Sequence, residues 1–430
     1  MAVSGPPMLH SAPRATVYTV YLDRSQDLVE MNEKHLARTD LVSFRGNQKT
    51  RDTLQRAVCS SRSEIMSYSV ITPYRMSNDP GDLKPANAGD GFILKAVMKL
   101  LEPYQCKYIF SSRVTLSHED INKINSAQML VLAGANQLND NFSVTPGFNR
   151  TDLEQIKVPI VPMGIGINGE EGKNDGMSDE TRSIIAFIHG RSKWSSWRCP
   201  LTMDYLHKNL PEMSDHFLLT GCPVMFLGEP GEHVPLSEHQ PRTVVVTTTT
   251  RGKFWQRETQ TIDFVHKTFP HARKILSQHQ APRKVKIRKR IKGLLNGNLE
   301  HLHTPVALSG YAKRRGFEIF HSGDAEDFLN LYRDADLHIG SRLHAHLFCL
   351  SLRKSSFVTY VDERMAGFSQ MLQFPICDPG RLGDYMNFDF NICWQNIEAV
   401  KPTMDRFVSY LKDELLAKQD LSESNDRETG

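Results

Sequence analysis

No part of this 430-residue chain approaches the ~18 consecutive apolar residues of a membrane span. The longest apolar runs, around Met129–Ala133 and Leu347–Leu352, have the length of a buried strand and a buried helix. Met1–Arg14 holds Pro and Ser but no apolar centre of the signal-peptide kind, so the sequons at Asn141 and Asn149 have no secretory route behind them. Seven cysteines, an odd number, are scattered from Cys59 to Cys393, and none forms a CxxC pair. That usage indicates neither a disulfide framework nor a zinc site, and it fits a reducing cytoplasm. A net charge of +3 is too small to mark a nucleic-acid-binding protein. The Asn87–Gly91 loop is no GxGxxG fingerprint, Gly164-Ile-Gly-Ile-Asn-Gly169 resembles one more closely but has no obvious following helix, and there is no internal repeat. The His301-Leu-His303 pair and His338 have no carboxylate arranged with them, so no metal site is expected. What remains is an ordinary globular composition, long enough for two or three domains, with a cytoplasmic location as the default.

The pattern that is present is a series of short apolar strands, each closed by Gly or Asn and mostly followed by a helical pattern. Met129–Ala133 ends in Gly134-Ala-Asn-Gln137, Val158–Met163 in Gly164-Ile-Gly-Ile-Asn-Gly169, and Phe217–Leu219 in Thr220-Gly-Cys-Pro223. Thr16–Leu22 and Ile65–Ile71 are earlier candidates, and Phe92–Leu101 has helical periodicity. After a linker at Gly228–Pro241 a second series begins with Thr243–Thr248 and continues through Glu318–Phe320, Leu337–Ile339 and Phe357–Val361. Its helices are expected at Glu258–Phe269, Ala325–Arg333 and His344–Ser351. Such strands indicate parallel sheets covered by helices. The expected fold is α/β, with two Rossmann-like domains facing a cleft. The expected boundaries are a disordered arm over 1–14, domains over 15–235 and 236–395, and over 396–430 an amphipathic helix (Ala399–Lys418) with a frayed polar tail.

One stretch carries the most chemistry. In Asp336-Leu-His-Ile-Gly-Ser-Arg-Leu-His344 a strand stops at Gly340, Ser341 makes the turn, and Arg342 and His344 stand at the mouth of an apolar helix. A strand-to-helix turn at the carboxyl edge of a parallel sheet is where open α/β folds bind ligands. A helix N-terminus there favours anions, because its first amides lack partners. Arginine and histidine added to that spot suit a phosphorylated or carboxylated substrate that needs a proton moved. Residues two apart on a helix diverge, so both face one cleft only if the helix starts near Leu343. Pairing Arg342 with His346 is the other register, and a helix-end ion pair beside a core histidine is the bland reading.

Five further segments are weaker. In Asn87-Ala-Gly-Asp90-Gly91 the glycines allow close approach, and Asn87 or Asp90 is either a substrate contact or a plain helix cap. Gly164–Gly169 is a close-approach loop. Arg198, at a strand end before Pro200, offers a second clamp for phosphate or carboxylate, and Arg251 after Thr243–Thr248 is a lesser candidate of the same kind. The basic run Arg283–Lys292 has two readings: a solvated face, or peripheral contact with an anionic membrane at about 1 kcal/mol per charge. It lacks aromatics for base stacking, so nucleic acid is not the expected partner.

In order along the chain these motifs resemble the polysaccharide pyruvyl transferase family. The resemblance rests on Asn87-Ala-Gly-Asp90, Gly134-Ala-Asn136, Val161-Pro-Met-Gly-Ile-Gly166, Arg198-Cys-Pro-Leu-Thr202, Thr220-Gly-Cys-Pro223, Gly340-Ser-Arg-Leu-His344 and Asp362-Glu-Arg364. Cys199 departs from the Gly or Asp more usual there. The resemblance covers roughly residues 65–375 and leaves out the N-terminal arm, the basic run and the C-terminal helix. It implies a fold like the two-domain glycosyltransferases of type B. It also implies transfer of the pyruvyl group of phosphoenolpyruvate onto two hydroxyls of a sugar, as a cyclic ketal, with release of phosphate. Phosphoenolpyruvate is then a co-substrate, and neither cofactor nor metal is expected. The acceptor is a glycan or lipid-linked saccharide, met in the cytoplasm or at the inner membrane face. His344, with a pKa near neutrality, is expected as the acid, Arg342 and Arg198 as holders of donor anions, and Asn87 and Asp90 as further contacts. A sugar-nucleotide glycosyltransferase of the same fold and a non-catalytic glycan-binding protein are the rival readings.

Overall fold

In the computed structural model the chain divides into two units, 1–63 and 64–430. The structure describes residues 66–74, 87–168, 174, 176–236, 238–249, 251–280 and 303–428, all of the second unit, with side chains to 416. The expected arm at 1–14, the strand at Thr16–Leu22, the basic run Arg283–Lys292, His301 and the glycine at 169 lie outside the described residues.

The first half builds a six-stranded sheet from β1 (Ser67–Thr72), β2 (Gln105–Ser111), β3 (Met129–Ala133), β4 (Ile160–Ile165), β5 (Ser195–Trp197) and β6 (Phe217–Leu219). All its pairings are parallel, in the order β2-β1-β3-β4-β5-β6. Helices α1 (Ala88–Leu100), α2 (His118–Asn125), α3 (Asp179–His189) and α4 (Pro200–Asn209) make the crossovers. The second half builds another six-stranded parallel sheet from β7 (Thr243–Thr247), β8 (Arg273–Ser277), β9 (Phe317–Phe320), β10 (Leu337–Gly340), β11 (Ser355–Thr359) and β12 (Ile376–Cys377), in the order β12-β11-β10-β7-β8-β9. Its helices are α5 (Trp255–Thr268), α6 (Pro305–Lys313), α7 (Ala325–Asp334), α8 (Leu343–Ser351) and α9 (Glu363–Leu372). No described helix is long and apolar enough to cross a membrane.

The central strands are continuous apolar runs because both their faces are covered. β3 (MLVLA) is buried at every position, and β7 (TVVVT) at all but its first. Apolar side chains of the two halves form one core: Val70 and Phe92 belong to the same cluster as Val245 and Phe348. Helix α8 sits inside that core. All nine of its residues are buried, which accounts for a sequence apolar on every side. The last helix, α10, runs Asn391–Glu428 with Pro402 inside it; it begins before the expected Ala399 and continues through most of the expected tail.

Both sheets reverse their strand order once. The second has the order 3-2-1-4-5-6 in its own numbering, with the reversal between β7 and β10. The first reverses between β1 and β3. At such a point successive crossovers leave toward opposite faces and open a crevice at the carboxyl ends of the strands.

Candidate active site

The ends of β7 and β10 are held together by backbone. Gly340 has φ +149°, and a Cβ there would lie 2.1 Å from the Thr247 carbonyl oxygen, so a side chain is not tolerated. Ser341 N donates to Thr247 O at 3.0 Å, and Arg342 N to Thr247 Oγ1 at 3.2 Å. Arg342 takes the N-cap position, and α8 starts at Leu343. The turn and the first helical residues therefore project Arg342 and His344 into one cavity of about 220 Å³. The Arg342–His346 register does not occur: His346 is fully buried, with Nδ1 2.8 Å from Ser356 Oγ.

The first half closes this cavity with Asn87, Gly89 and Asn136, and the second adds Thr249, Arg251, His279, Ser341 and Arg364. Gly89 allows the close approach, since a Cβ would meet His344 Nδ1 at 2.8 Å. Asn87 is the N-cap residue of α1, yet its side chain makes no capping bond and instead hydrogen-bonds Asp90. The plain-cap reading is thereby corrected. Ala88 N donates to His279 O at 3.1 Å and ties the two halves together beside the cavity. Arg251 lines the cavity from an exposed position after β7.

Arg198 follows β5 and is 1% exposed. Its Nη2 donates to Ile167 O at 3.1 Å, whereas Nε and Nη1 are buried with no hydrogen-bond partner among the described residues. A Cβ on Gly166 would come within 2.3 Å of the guanidinium, so the loop after β4 carries glycine where Arg198 lies. The Phe368 ring sits 5.8 Å from its other side. Burial pushes its pKa below the usual arginine value, but guanidinium stays charged in proteins.

His344 is 7% exposed, and its Nε2 is buried with no hydrogen-bond partner among the described residues. Burial, then Arg364, Arg198 and Arg342, push its pKa down to about 3. The expected near-neutral histidine is thus corrected: in this site the imidazole is neutral at pH 7, because burial first, and then three guanidinium groups, oppose a positive charge on it.

Sequence reasoning gave no role to Arg364 or His279. Arg364 opens α9 beside its partner Asp362, with Nε and Nη2 2.8 and 2.6 Å from the two carboxylate oxygens. Its signal was the Asp362-Glu-Arg364 motif. His279 follows β8, a strand hidden by its Arg273-Lys274 start, and its Nε2 lies 2.6 Å from Tyr332 Oη.

A second cavity, of about 300 Å³, opens in the first half. Its wall sets amides and hydroxyls, such as those of Asn136, Gln137, Ser143 and Thr145, beside Pro73, Ala135 and Pro146, with Asp90 and Arg113 as its charged pair. Asp90 Oδ2 accepts from Arg113 Nη2 at 3.3 Å; burial raises its pKa against the opposing pull of Arg113, Asn87 and Arg364. Asn136 lines both cavities, which makes them neighbours.

Among solved structures, accessory secretory protein 1,2 and 3 of Streptococcus pneumoniae is similar at 9% identity and TM-score 0.39, over 68% of this chain and 54% of that one. The match therefore spans about half of that relative's length. A putative UDP-N-acetylglucosamine 2-epimerase from Listeria monocytogenes is similar at 12% identity and TM-score 0.43, over 80% and 93% of the two chains. A glycosyltransferase from Rickettsia africae matches at 10% identity and TM-score 0.40, over 82% and 99%. No curated protein matches in sequence. The family model described as polysaccharide pyruvyl transferase matches residues 87–363, from the Asn87 loop to the start of α9. With more than half of its length so matched, the chain belongs to the polysaccharide pyruvyl transferase family.

Proposed function

We propose that this transferase uses phosphoenolpyruvate as donor and builds a cyclic pyruvate ketal on two hydroxyls of a sugar in a glycan or its precursor. The observation that carries this reading is the positive charge around the cavity between the halves: Arg342 and Arg364 line it, Arg198 lies buried outside its wall, and all three act on the single imidazole of His344. A phosphate and a carboxylate on one small molecule match such a set, and guanidinium binds both groups bidentately. The two unpartnered nitrogens of Arg198 suit the same ligand, because a buried donor without an acceptor is costly.

The bound donor also lets His344 take up a proton from solvent. Burial, and after it three guanidinium charges, hold the imidazole neutral. A bound trianion offsets them, and the proton affinity of His344 rises with the donor in place. The imidazolium then protonates the methylene carbon of the enol. This generates an oxocarbenium-like centre, whose charge the donor's own carboxylate tempers. One sugar hydroxyl attacks the central carbon, which bears the carboxylate and the phosphate ester oxygen, and returns its proton to His344. The second hydroxyl displaces phosphate, and its proton leaves with the phosphate. The products are the ketal and hydrogen phosphate, so atoms and charge balance.

The neighbouring cavity, rich in amides and hydroxyls, is the acceptor's place in this reading. Such side chains exchange hydrogen bonds with sugar hydroxyls in both directions. The expected location remains the cytoplasm, with peripheral contact at the inner membrane face through Arg283–Lys292 tested by liposome flotation with and without anionic lipid. The decisive experiment is phosphate release from phosphoenolpyruvate in the presence of β-galactosides, glucosides and mannosamine derivatives. Release that depends on one sugar class supports the reading. No release with any sugar, alongside nucleotide release from a sugar nucleotide, replaces it with the glycosyltransferase alternative.

A further inference from the structure

Glu258 is a carboxyl group that the chemistry above does not use. It lies in the first turn of α5, is 5% exposed, and is not among the residues lining the donor cavity. A buried carboxylate is costly unless its hydrogen bonds and charge are answered. Here the answer comes through one peptide group. Thr249 N–H donates to Glu258 Oε1, and the carbonyl of the same peptide, Thr248 O, accepts from Arg342 Nε at 2.8 Å. A carboxylate at the N–H end and a guanidinium at the C=O end polarise this peptide in the same direction, so the two bonds reinforce one another. The Nε bond also sets the rotation of the planar guanidinium about its stem, and hence the edge that Arg342 presents to an anion. Arg251 N donates to Thr249 Oγ1 at 3.1 Å and steadies the turn.

The electrostatics run the same way. Glu258 is the largest charge acting on Arg342. Burial pushes the Glu258 carboxyl up to about 7, while its bonds to Thr249 and the charges of Arg342 and Arg257 hold it back. Arg257 is also drawn to Glu258, ahead of Asp378 and Tyr360, whereas Arg342 is joined to Glu258 through the shared peptide.

We propose that Glu258 is a positioning residue, which orients Arg342 toward the donor through the shared Thr248–Thr249 peptide. This rests on phosphoenolpyruvate being the donor. The test is a double-mutant cycle on donor KM, measured by phosphate release at about pH 8, where Glu258 is ionised, for wild type, E258A, R342A and the double variant. E258A is expected to raise donor KM about tenfold with kcat within about twofold, because orientation of a binding group is lost and the proton donor is kept. In the R342A background the same change should move KM less than about twofold, since the residue it acts through is gone. E258Q keeps an acceptor for Thr249 N–H and should bring KM back to within about threefold of wild type. If E258A melts early, E258M, which keeps the side-chain volume and loses the acceptor, supplies the same cycle. A merely structural carboxyl would give equal effects with and without Arg342, and that additivity overturns the proposal. So does wild-type KM in E258A. Wild-type enzyme without affinity for phosphoenolpyruvate overturns the donor reading and this inference together, whereas the first two outcomes leave the donor reading intact.

Discussion

The two cavities share Asn136 and differ in almost everything else. The one between the halves presents guanidinium and imidazole groups, from Arg251, Arg342, Arg364, His279 and His344. The one in the first half presents amides and hydroxyls, with Asp90 and Arg113 already paired. Each opens where its sheet reverses strand order, so the same backbone rule produces both. What separates them is the side chains that the strand ends carry. The charged cavity suits a small polyanion and the movement of a proton. The neutral one is the acceptor's place in the proposed reading, and Asn136 borders both cavities.

The largest effect expected from this division is at His344. His344→Ala should lower turnover by about 10³-fold, within the range for loss of a general acid, while donor binding by calorimetry stays measurable. A variant with near-normal phosphate release would remove the imidazole from the chemistry and leave the charged cavity as a binding site alone. Next come the arginines. Arg342→Ala and Arg198→Ala should weaken donor binding about 10- to 100-fold, the cost of a charge-assisted hydrogen-bonded contact, with acceptor KM nearly unchanged. If acceptor KM rises equally, the two cavities do not divide the substrates as argued.

How much of this was legible beforehand depended on whether a feature is local. β3 and β6 have the bounds their apolar runs suggested, because a strand covered on both faces has a continuous apolar signature. β2 escaped notice: it is an edge strand, and Gln105 and Lys107 face water. β8 was hidden by Arg273 and Lys274, whose charges are met by Glu318 and by the carbonyls of Phe269, Pro270 and Ala272. The placing of Arg342 and His344 was readable, because a strand, a glycine, a turn and an apolar helix follow one another in sequence. The charge state of His344 was not. It depends on burial in the assembled fold and then on guanidinium groups from three segments, following β5, following β10 and opening α9, whose convergence no local pattern states. The role of Glu258 was hidden for the same reason, since its partner lies 84 residues away and is reached through a third segment's peptide, 342 minus 258 giving that separation.

Acid should also tell the halves apart. Burial lowers the pKa of His338 and His344 to about 3, and pushes His279 and His346 well down, all in the second half. In the first half His189 is lowered to about 4. For a histidine whose folded pKa is depressed, the unfolded chain takes up the proton first. Its stabilising contribution is whole above the unfolded value of 6.5 and is lost as pH falls from there toward the folded values of about 3 to 4. The melting temperature should therefore drop steadily below about pH 6.5. Amide exchange at about pH 5 should rise on β10 and α8 before it rises on β3 and β4. Equal exchange in the two sheets would mean that their shared core makes them open as one body.

The smallest effects belong to the neutral cavity. Ser143→Ala and Gln137→Ala each remove one hydrogen-bonding group from a wall that has many, so acceptor KM should rise only about threefold, near 1 kcal/mol or less. Donor KM should not move. Asn136→Ala is the sharper variant, because its side chain borders both cavities. It should raise the KM of both substrates by a similar modest factor and leave the pH dependence of His344 in place. A change in donor KM alone would assign Asn136 to the charged cavity and shift the boundary toward the first half. A change in acceptor KM alone would shift it the other way.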